Sequence, residues 1–346
     1  MKIVVRGTNW IGDSVMTVPA LRALRGAFPD AEIVLLTHAA NEGLFRDVDF
    51  IDRMMSIDTS KSAIGQVLTL ARELRNEKFD VGIVLPNSFA SALPLWLAGI
   101  PRRFGYLTDR RRLLLTDAFP VPFWKASRHE VFYYVCLAAA IEERLLGTRP
   151  SEQADHSPRI DISATRRETA REFLAQHGLD LARPMVAIGA GSTNSEAKRW
   201  PAERFLQTSE RLQKTLGAQI VLLGSDGDCV VSAKIASGLT EKPLDLTGIT
   251  SIAEVAAILS VVDLLIANDM GLAHLAPAVG TRTLVIFGPT DPVTTRPLSK
   301  LADVIRHEVE CSPCMLRECP IDHRCMTRVS VEQVCDSAIK LLRMDD

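Results

Sequence analysis

The sequence predicts an α/β protein built from two parallel-sheet domains. Three observations predict it. The chain has 346 residues, more than one typical domain. Its hydrophobic share of 47% is enough for full cores. Short Val/Ile/Leu runs alternate with helix-period segments in both halves, the pattern of strands joined by crossover helices.

The elements follow in order. Lys2 to Arg6 is a short apolar run and reads as a strand. Val15 to Phe28 places Val15, Val18, Leu21, Leu24 and Phe28 near one face and reads as a helix. Ala31 to Thr37 is the next strand, Ser62 to Glu77 a helix, and Val81 to Leu85 a strand. Residues 147–158 are polar without periodicity, so a linker is expected near 147–165 and a boundary between 1–160 and 161–346. The pattern then restarts, with a helix over Ala164 to His177, a strand over Pro184 to Ile188 and a helix over Ala202 to Leu216. Gln219 to Leu223 is a strand, Ile252 to Ser260 a helix and Asp263 to Ala267 a strand. Gly271 to Val279 is a helix and Thr283 to Phe287 a strand. Two such halves place a site in the cleft expected between them, at the carboxyl ends of strands.

Composition excludes several classes. Net charge is −2 and aromatics are 5%, which argues against a nucleic-acid partner. No run of about 18 apolar residues predicts a spanning helix, and no cleavable leader is expected, so a cytoplasmic protein is predicted. In that compartment cysteines read as thiols or metal ligands.

Two loops at strand–helix junctions hold candidate chemistry in the first half and the start of the second. Arg6-Gly7-Thr8-Asn9-Trp10-Ile11-Gly12-Asp13 fits neither the dinucleotide nor the P-loop pattern. Asp13 either caps the following helix or acts as a base. Gly189 to Pro201 combines glycines, Ser192, Thr193 and the pair Lys198-Arg199, which suits a phosphate. An ordinary polar loop is the alternative.

Further along, Asn268-Asp269-Met270-Gly271-Leu272-Ala273-His274 opens a helix whose free N–H groups attract an anion. His274 alone reads as structural. Gly288-Pro289-Thr290-Asp291-Pro292 is a rigid turn with hydroxyl and carboxylate to offer. Cys311, Cys314, Cys319 and Cys325 resemble a small zinc knuckle, with a plain thiol cluster as the alternative. Arg102 to Arg128 holds seven basic residues, namely Arg102, Arg103, Arg110, Arg111, Arg112, Lys125 and Arg128, against Asp109 and Asp117. It reads either as a solvated face or as a site for an anionic acceptor or bilayer.

Taken together, and in this order along nearly the whole chain, these motifs resemble the lipopolysaccharide heptosyltransferases of glycosyltransferase family 9. The nearest branch is the one that extends the first heptose of the inner core. The resemblance implies a GT-B fold, two Rossmann-like domains facing across a cleft. The N-terminal domain would bind acceptor and the C-terminal domain donor. It implies inverting transfer of heptose from ADP-heptose, with no catalytic metal, at the cytoplasmic face of the inner membrane, which the protein would touch peripherally. Asp13 matches the family's base. Ser192, Thr193, Lys198, Asp269, Met270, Gly271 and His274 match the donor site. Arg6, Asn9, Trp10, Arg102, Arg103 and Arg110 would meet the lipid A–core acceptor. The four thiols would be structural, with or without zinc. The sequence departs from the family at Met270, where Ser or Thr is common. A different nucleotide-sugar donor, or a non-catalytic nucleotide- or metal-binding protein, is therefore the alternative.

Overall fold

The computed structural model describes residues 1–58, 60, 62–149, 151, 155–193 and 195–343. Asn194 of the glycine loop and residues 150 and 152–154 of the expected linker lie outside them. The chain forms two compact units, Met1–Ile160 and Asp161–Asp346.

The first unit runs β1 (Lys2–Arg6), α1 (Ile11–Met16), α2 (Val18–Ala27), β2 (Glu32–His38), α3 (Ala39–Glu42), β3 (Arg53–Ile57), α4 (Ala63–Glu77) and β4 (Val81–Val84). It continues with α5 (Phe89–Leu97), β5 (Arg102–Tyr106), β6 (Asp117–Phe119) and α6 (Glu130–Leu146). The second unit runs α7 (Ala164–Gln176), β7 (Met185–Gly189), α8 (Ala202–Leu216), β8 (Gln219–Leu222), α9 (Cys229–Gly238), β9 (Leu244–Asp245) and α10 (Ile252–Leu259). It ends with β10 (Leu264–Asn268), α11 (Gly271–Ala278), β11 (Arg282–Phe287), α12 (Pro292–Thr295), β12 (Ala302–Arg306), α13 (Arg324–Thr327) and α14 (Val331–Arg343).

Each unit carries one six-stranded parallel sheet. The orders are β3-β2-β1-β4-β5-β6 and β12-β11-β10-β7-β8-β9. Counted from the first strand of its unit, each sheet has the doubly wound Rossmann order. The order reverses between β1 and β4 in the first sheet, where Arg6 lies beside Val84, and between β7 and β10 in the second, where Gly189 lies beside Ala267. Such a reversal opens a crevice at the carboxyl ends of the two strands. The Gly7–Asp13 loop leaves β1 at one reversal. The Gly189–Pro201 and Asn268–His274 segments leave β7 and β10 at the other.

The central strands are buried along both faces, as their continuous apolar runs require. Trp200 is 1% exposed in the second core, its indole N–H donating to the Val329 carbonyl at 3.0 Å. The amphipathic α14 packs Val334, Ala338 and Leu341 into the same core.

Two expectations are corrected here. The single helix expected over Val15 to Phe28 is two helices, α1 and α2, divided at Thr17. Pro19 has no N–H for the Val15 carbonyl, so the ladder breaks there. The Thr17 hydroxyl instead donates to the Ser14 carbonyl at 2.7 Å. The helix also begins earlier, at Ile11, with Trp10 as its N-cap. Asp13 therefore sits inside the first turn and is not the cap.

Candidate functional site

The second crevice is built on Asn268, the last residue of β10 and fully buried. Its amide nitrogen donates to the carbonyls of Ala190 at 2.7 Å and Gly191 at 3.2 Å. Its Oδ1 accepts the backbone N–H of Trp200 at 3.0 Å. One side chain thus ties both ends of the glycine loop to the neighbouring strand. A guanidinium N–H of Arg199 donates to the Ser192 carbonyl at 3.1 Å across the loop.

Inside this frame Lys198 Nζ lies 2.7 Å from Oδ2 of Asp269, and the Thr290 hydroxyl donates to the same oxygen at 2.7 Å. Three expected motifs, from three separate loops, therefore meet at one carboxylate. Asp269 is 5% exposed, so its charge requires these partners. Lys198 is part-exposed and is the one member of the group reaching toward solvent.

Met270 is the N-cap of α11 and supplies no side-chain hydrogen bond to the first turn. Its sulfur fills the space beside Gly189, where an added Cβ would lie 3.2 Å from it and 3.0 Å from Cβ of Ala267. His274 is buried in the first turn of α11. Ser192 is buried and Thr193 exposed, with the Thr193 and Ser225 hydroxyls 3.4 Å apart.

Sequence reading missed Asp228. It is 1% exposed, and its Oδ2 accepts the Ser225 backbone N–H at 2.9 Å and hydroxyl at 2.7 Å. Its Oδ1 has no hydrogen-bond partner among the described residues. The carboxylate occupies the space a Cβ at Gly191 would need. The visible signal was the Ser225-x-x-Asp228 spacing, a capping-box pattern.

At the first crevice Arg6 is buried, and burial holds its guanidinium down to about 10. It donates to the Gly7 carbonyl and, at 2.6 Å, to Asn9 Oδ1, which also lies 3.0 Å from His38 Nε2. Burial, then the charge of Arg6, lowers His38 below the ordinary histidine value. Asn41 donates to the Asn9 carbonyl at 3.0 Å and the Ser14 hydroxyl at 3.2 Å, pinning the loop to α1. Asp13 is half-buried in that first turn. The buried Tyr134 phenol is pushed well up, by burial first and then by the Asp13 carboxylate nearby. It therefore stays protonated. Trp10 is 59% exposed.

The basic stretch divides by role, which corrects its reading as one charged face. Arg111 is fully buried, donating to the carbonyls of Tyr106 at 3.0 Å and of Pro86. Arg103 donates to the carbonyls of Leu114 at 2.7 Å and of Ile100. Both are structural ties between loops. Arg102 is half-buried, its guanidinium 5.2 Å from the Phe104 ring centroid, and Arg110 is exposed.

The thiols of Cys311, Cys314, Cys319 and Cys325 are free. Among the described residues no group of three or more His, Cys, Asp or Glu side chains is arranged to hold a metal ion. Burial, then the neighbouring thiols of Cys311, Cys314 and Cys319, pushes Cys325 up. The segment acts as a buttress. The Ala197 N–H donates to the Arg317 carbonyl at 3.0 Å, and His323 Nε2 lies 2.6 Å from the Ala197 carbonyl. On its other side the Cys314 and Met315 N–H groups donate to the Pro289 carbonyl at 3.0 and 2.8 Å. It thereby braces both loops that reach Asp269.

Paired Rossmann-like sheets with this crevice chemistry define the GT-B class of glycosyltransferases, and solved structures bear the class out. The fold matches that of Escherichia coli ADP-heptose lps heptosyltransferase II with a TM-score of 0.85 at 27% identity, over 99% of this chain and 98% of that one. It matches a glycosyl transferase family 9 protein of Veillonella parvula with a TM-score of 0.86 at 25% identity, over 99% and 97%. Lipopolysaccharide heptosyltransferase 2 of Escherichia coli is 30% identical over 88% of each chain. The model of glycosyltransferase family 9 (heptosyltransferase) matches residues 67–324. The chain belongs to glycosyltransferase family 9, and its chemistry is that of a transferase. Among the described residues no helix is long and apolar enough to cross a membrane.

Proposed function

We propose that this protein moves a heptose from ADP-heptose to the first heptose of the lipopolysaccharide inner core, with inversion at the anomeric carbon. The observation that carries this reading is the convergence of Lys198, Thr290 and the start of α11 on Asp269, beside a glycine loop tied down by Asn268. A leaving ADP gathers negative charge as its bond to C1 breaks. Lys198, the hydroxyls of the Ser192–Thr193 loop and the N–H groups around Gly271 are the donors set to meet it. Asp269 holds Lys198 in position until the diphosphate takes over as its partner.

Asp13 is the proposed base. The acceptor hydroxyl attacks C1, its proton passes to the Asp13 carboxylate, and the C1–oxygen electron pair leaves with ADP. His274 supports the start of α11. Trp10, Asn9 and Arg110 present surface to the lipid A–core acceptor, while Arg6 and Arg103 hold the loops that carry them; Arg102, expected among them, opens β5 beside Val81 at the amino edge of the sheet, away from the crevice, and is left out. In this reading Lys198 and backbone N–H groups, not a metal ion, stabilise the leaving group. The thiol segment braces the donor loops through its own hydrogen bonds. The acceptor is lipid-linked, so the reaction belongs at the cytoplasmic face of the inner membrane, with the protein in the cytoplasm and peripheral to it.

A transfer assay with ADP-heptose and a mono-heptosylated core acceptor tests this. Wild type is expected to form the di-heptosylated product. Asp13→Asn is expected to lose about 10²- to 10⁴-fold in turnover with ADP affinity unchanged. Full turnover in that variant rules Asp13 out as base. Met270 favours a second reading, a different nucleotide sugar, because α11 lacks a side-chain cap there. Faster transfer from a non-heptose donor in a panel would select it.

A further inference from the structure

At the reversal point of the first sheet β1 and β4 lie side by side, with Arg6 beside Val84. Three residues beyond each of these stands an asparagine, Asn9 after β1 and Asn87 after β4. The loops that flank the first crevice therefore carry one amide each.

Both amides are held from the inside. The Arg6 guanidinium can only donate, so the Asn9 atom that meets it at 2.6 Å is the oxygen. His38 Nε2, 3.0 Å from the same oxygen, therefore carries a proton. At Asn87 the buried Tyr133 phenol donates to Oδ1 at 2.8 Å. Burial pushes that phenol up to about 12, so it keeps its proton. With both oxygens turned inward, both NH2 groups turn outward, and both side chains are exposed.

The backbone of the second loop is fixed as well. Arg111, fully buried, donates to the carbonyls of Pro86 and, at 3.3 Å, Ser88. The Thr108 hydroxyl donates to the Asn87 carbonyl between them at 2.7 Å. Three successive carbonyls are bonded, so the amide is preorganised. Helix α6 also ties it to the base: Tyr133 holds Asn87, and the next residue, Tyr134, has the Asp13 carboxylate nearby.

We propose that Asn87 and Asn9 form a fixed pair of neutral N–H donors for hydroxyl oxygens of the acceptor sugar, with Tyr133 and Arg6 as positioning residues. The pair presents no charge, which suits sugar hydroxyls over a phosphate. This rests on the acceptor role proposed for the first unit, to which it adds Asn87 and Tyr133.

Binding of a lipid-free mono-heptosylated core oligosaccharide, by titration calorimetry without donor, tests it. Asn87→Leu, which has no donor, should raise the Kd about five- to tenfold. It also leaves the Tyr133 hydroxyl unpaired, so Asn87→Asp serves as a second variant. Its carboxylate still accepts from Tyr133 but donates nothing. A sugar hydroxyl can turn and donate to that carboxylate, so the Kd of Asn87→Asp should rise only about twofold. Tyr133→Phe should raise the Kd about threefold by itself and no further in the Asn87→Leu background. ADP affinity should match wild type in all of them. A wild-type Kd in Asn87→Leu, or in Asn87→Asp should the leucine variant not fold, overturns the proposal. So does an unchanged Kd in Tyr133→Phe, or no binding by wild type. Weaker binding by Asn87→Asp than by Asn87→Leu would reveal an anionic group there and overturn the hydroxyl assignment. Oligosaccharide binding without heptose transfer would discard the donor reading and keep the amide pair; transfer with unaltered Kd in the variants would do the reverse.

Discussion

Asp269 sets the terms at the residue scale. A carboxylate that is 5% exposed is tolerated because Lys198 and Thr290 both hold one of its oxygens. Lys198→Met leaves that charge with Thr290 alone and removes the cation proposed for the diphosphate. We expect about 1–2 kcal/mol of lost stability, since Lys198 is part-exposed and screened. ADP affinity should fall about 10- to 100-fold by titration calorimetry. Unchanged affinity would remove Lys198 from the donor site. His38 governs a pH effect. Its folded pKa lies below the usual 6.5, through burial and then Arg6. Below the unfolded value the unfolded chain binds a proton the folded chain resists. Stability is thus full above the unfolded value and declines as pH falls through it. Urea denaturation between about pH 5.5 and 7.5 should show this decline, and His38→Gln should flatten it.

At the element scale, the loops are set by close contacts that spacing alone does not display. The Gly189–Pro201 loop passes so near the buried Asp228 carboxylate that Gly191 has no room for a side chain. Gly191→Ala must move either the loop or the Ser225–Asp228 turn. We expect a loss of about 1–3 kcal/mol in stability. Donor affinity should fall with it, since the hydroxyls of Ser192 and Thr193 shift. A melt and an ADP titration read both, and an unchanged pair of values would show the contact to be slack. The division of α1 from α2 has a local cause legible in hindsight: Pro19 removes one ladder donor four residues after Val15. The early start at Ile11 was not legible, because Trp10 is an unusual cap and its side chain makes no capping bond.

Across the whole molecule the two sheets repeat one strand order, and the motifs fall at each sheet's reversal point. The donor reading therefore makes a regional prediction. Saturating ADP should slow amide hydrogen exchange in the loops around 190–199, 224–228, 269–272 and 288–291, all in the second unit. Amides of residues 7–13 should be unaffected. Protection centred on 7–13 instead would place the nucleotide in the other unit.

Most central strands and helices were legible, because buried parallel strands read as unbroken Val/Ile/Leu and Ala202–Leu216 keeps a clear helical period. Others were not: the inner strand Arg102–Tyr106 opens on two arginines, the helix Glu130–Leu146 is apolar on most sides, and the edge strands are brief. Arg53–Ile57 and Asp117–Phe119 are short and half-exposed, so their residues carry little of that signal. By itself the sequence determined the alternation of strands and helices, the two α/β halves and the loops that hold the candidate chemistry. Those follow from local periodicity and residue type. Only the tertiary structure decided that Lys198, Asp269 and Thr290 meet. It likewise decided that Arg111 is buried while Arg110 is exposed, and that the thiol segment braces both loops. These depend on strand order and on contacts between residues up to 126 positions apart, as in the His323–Ala197 bond. Such contacts form where burial and hydrogen-bond satisfaction must be solved at once, and no window of sequence contains both partners.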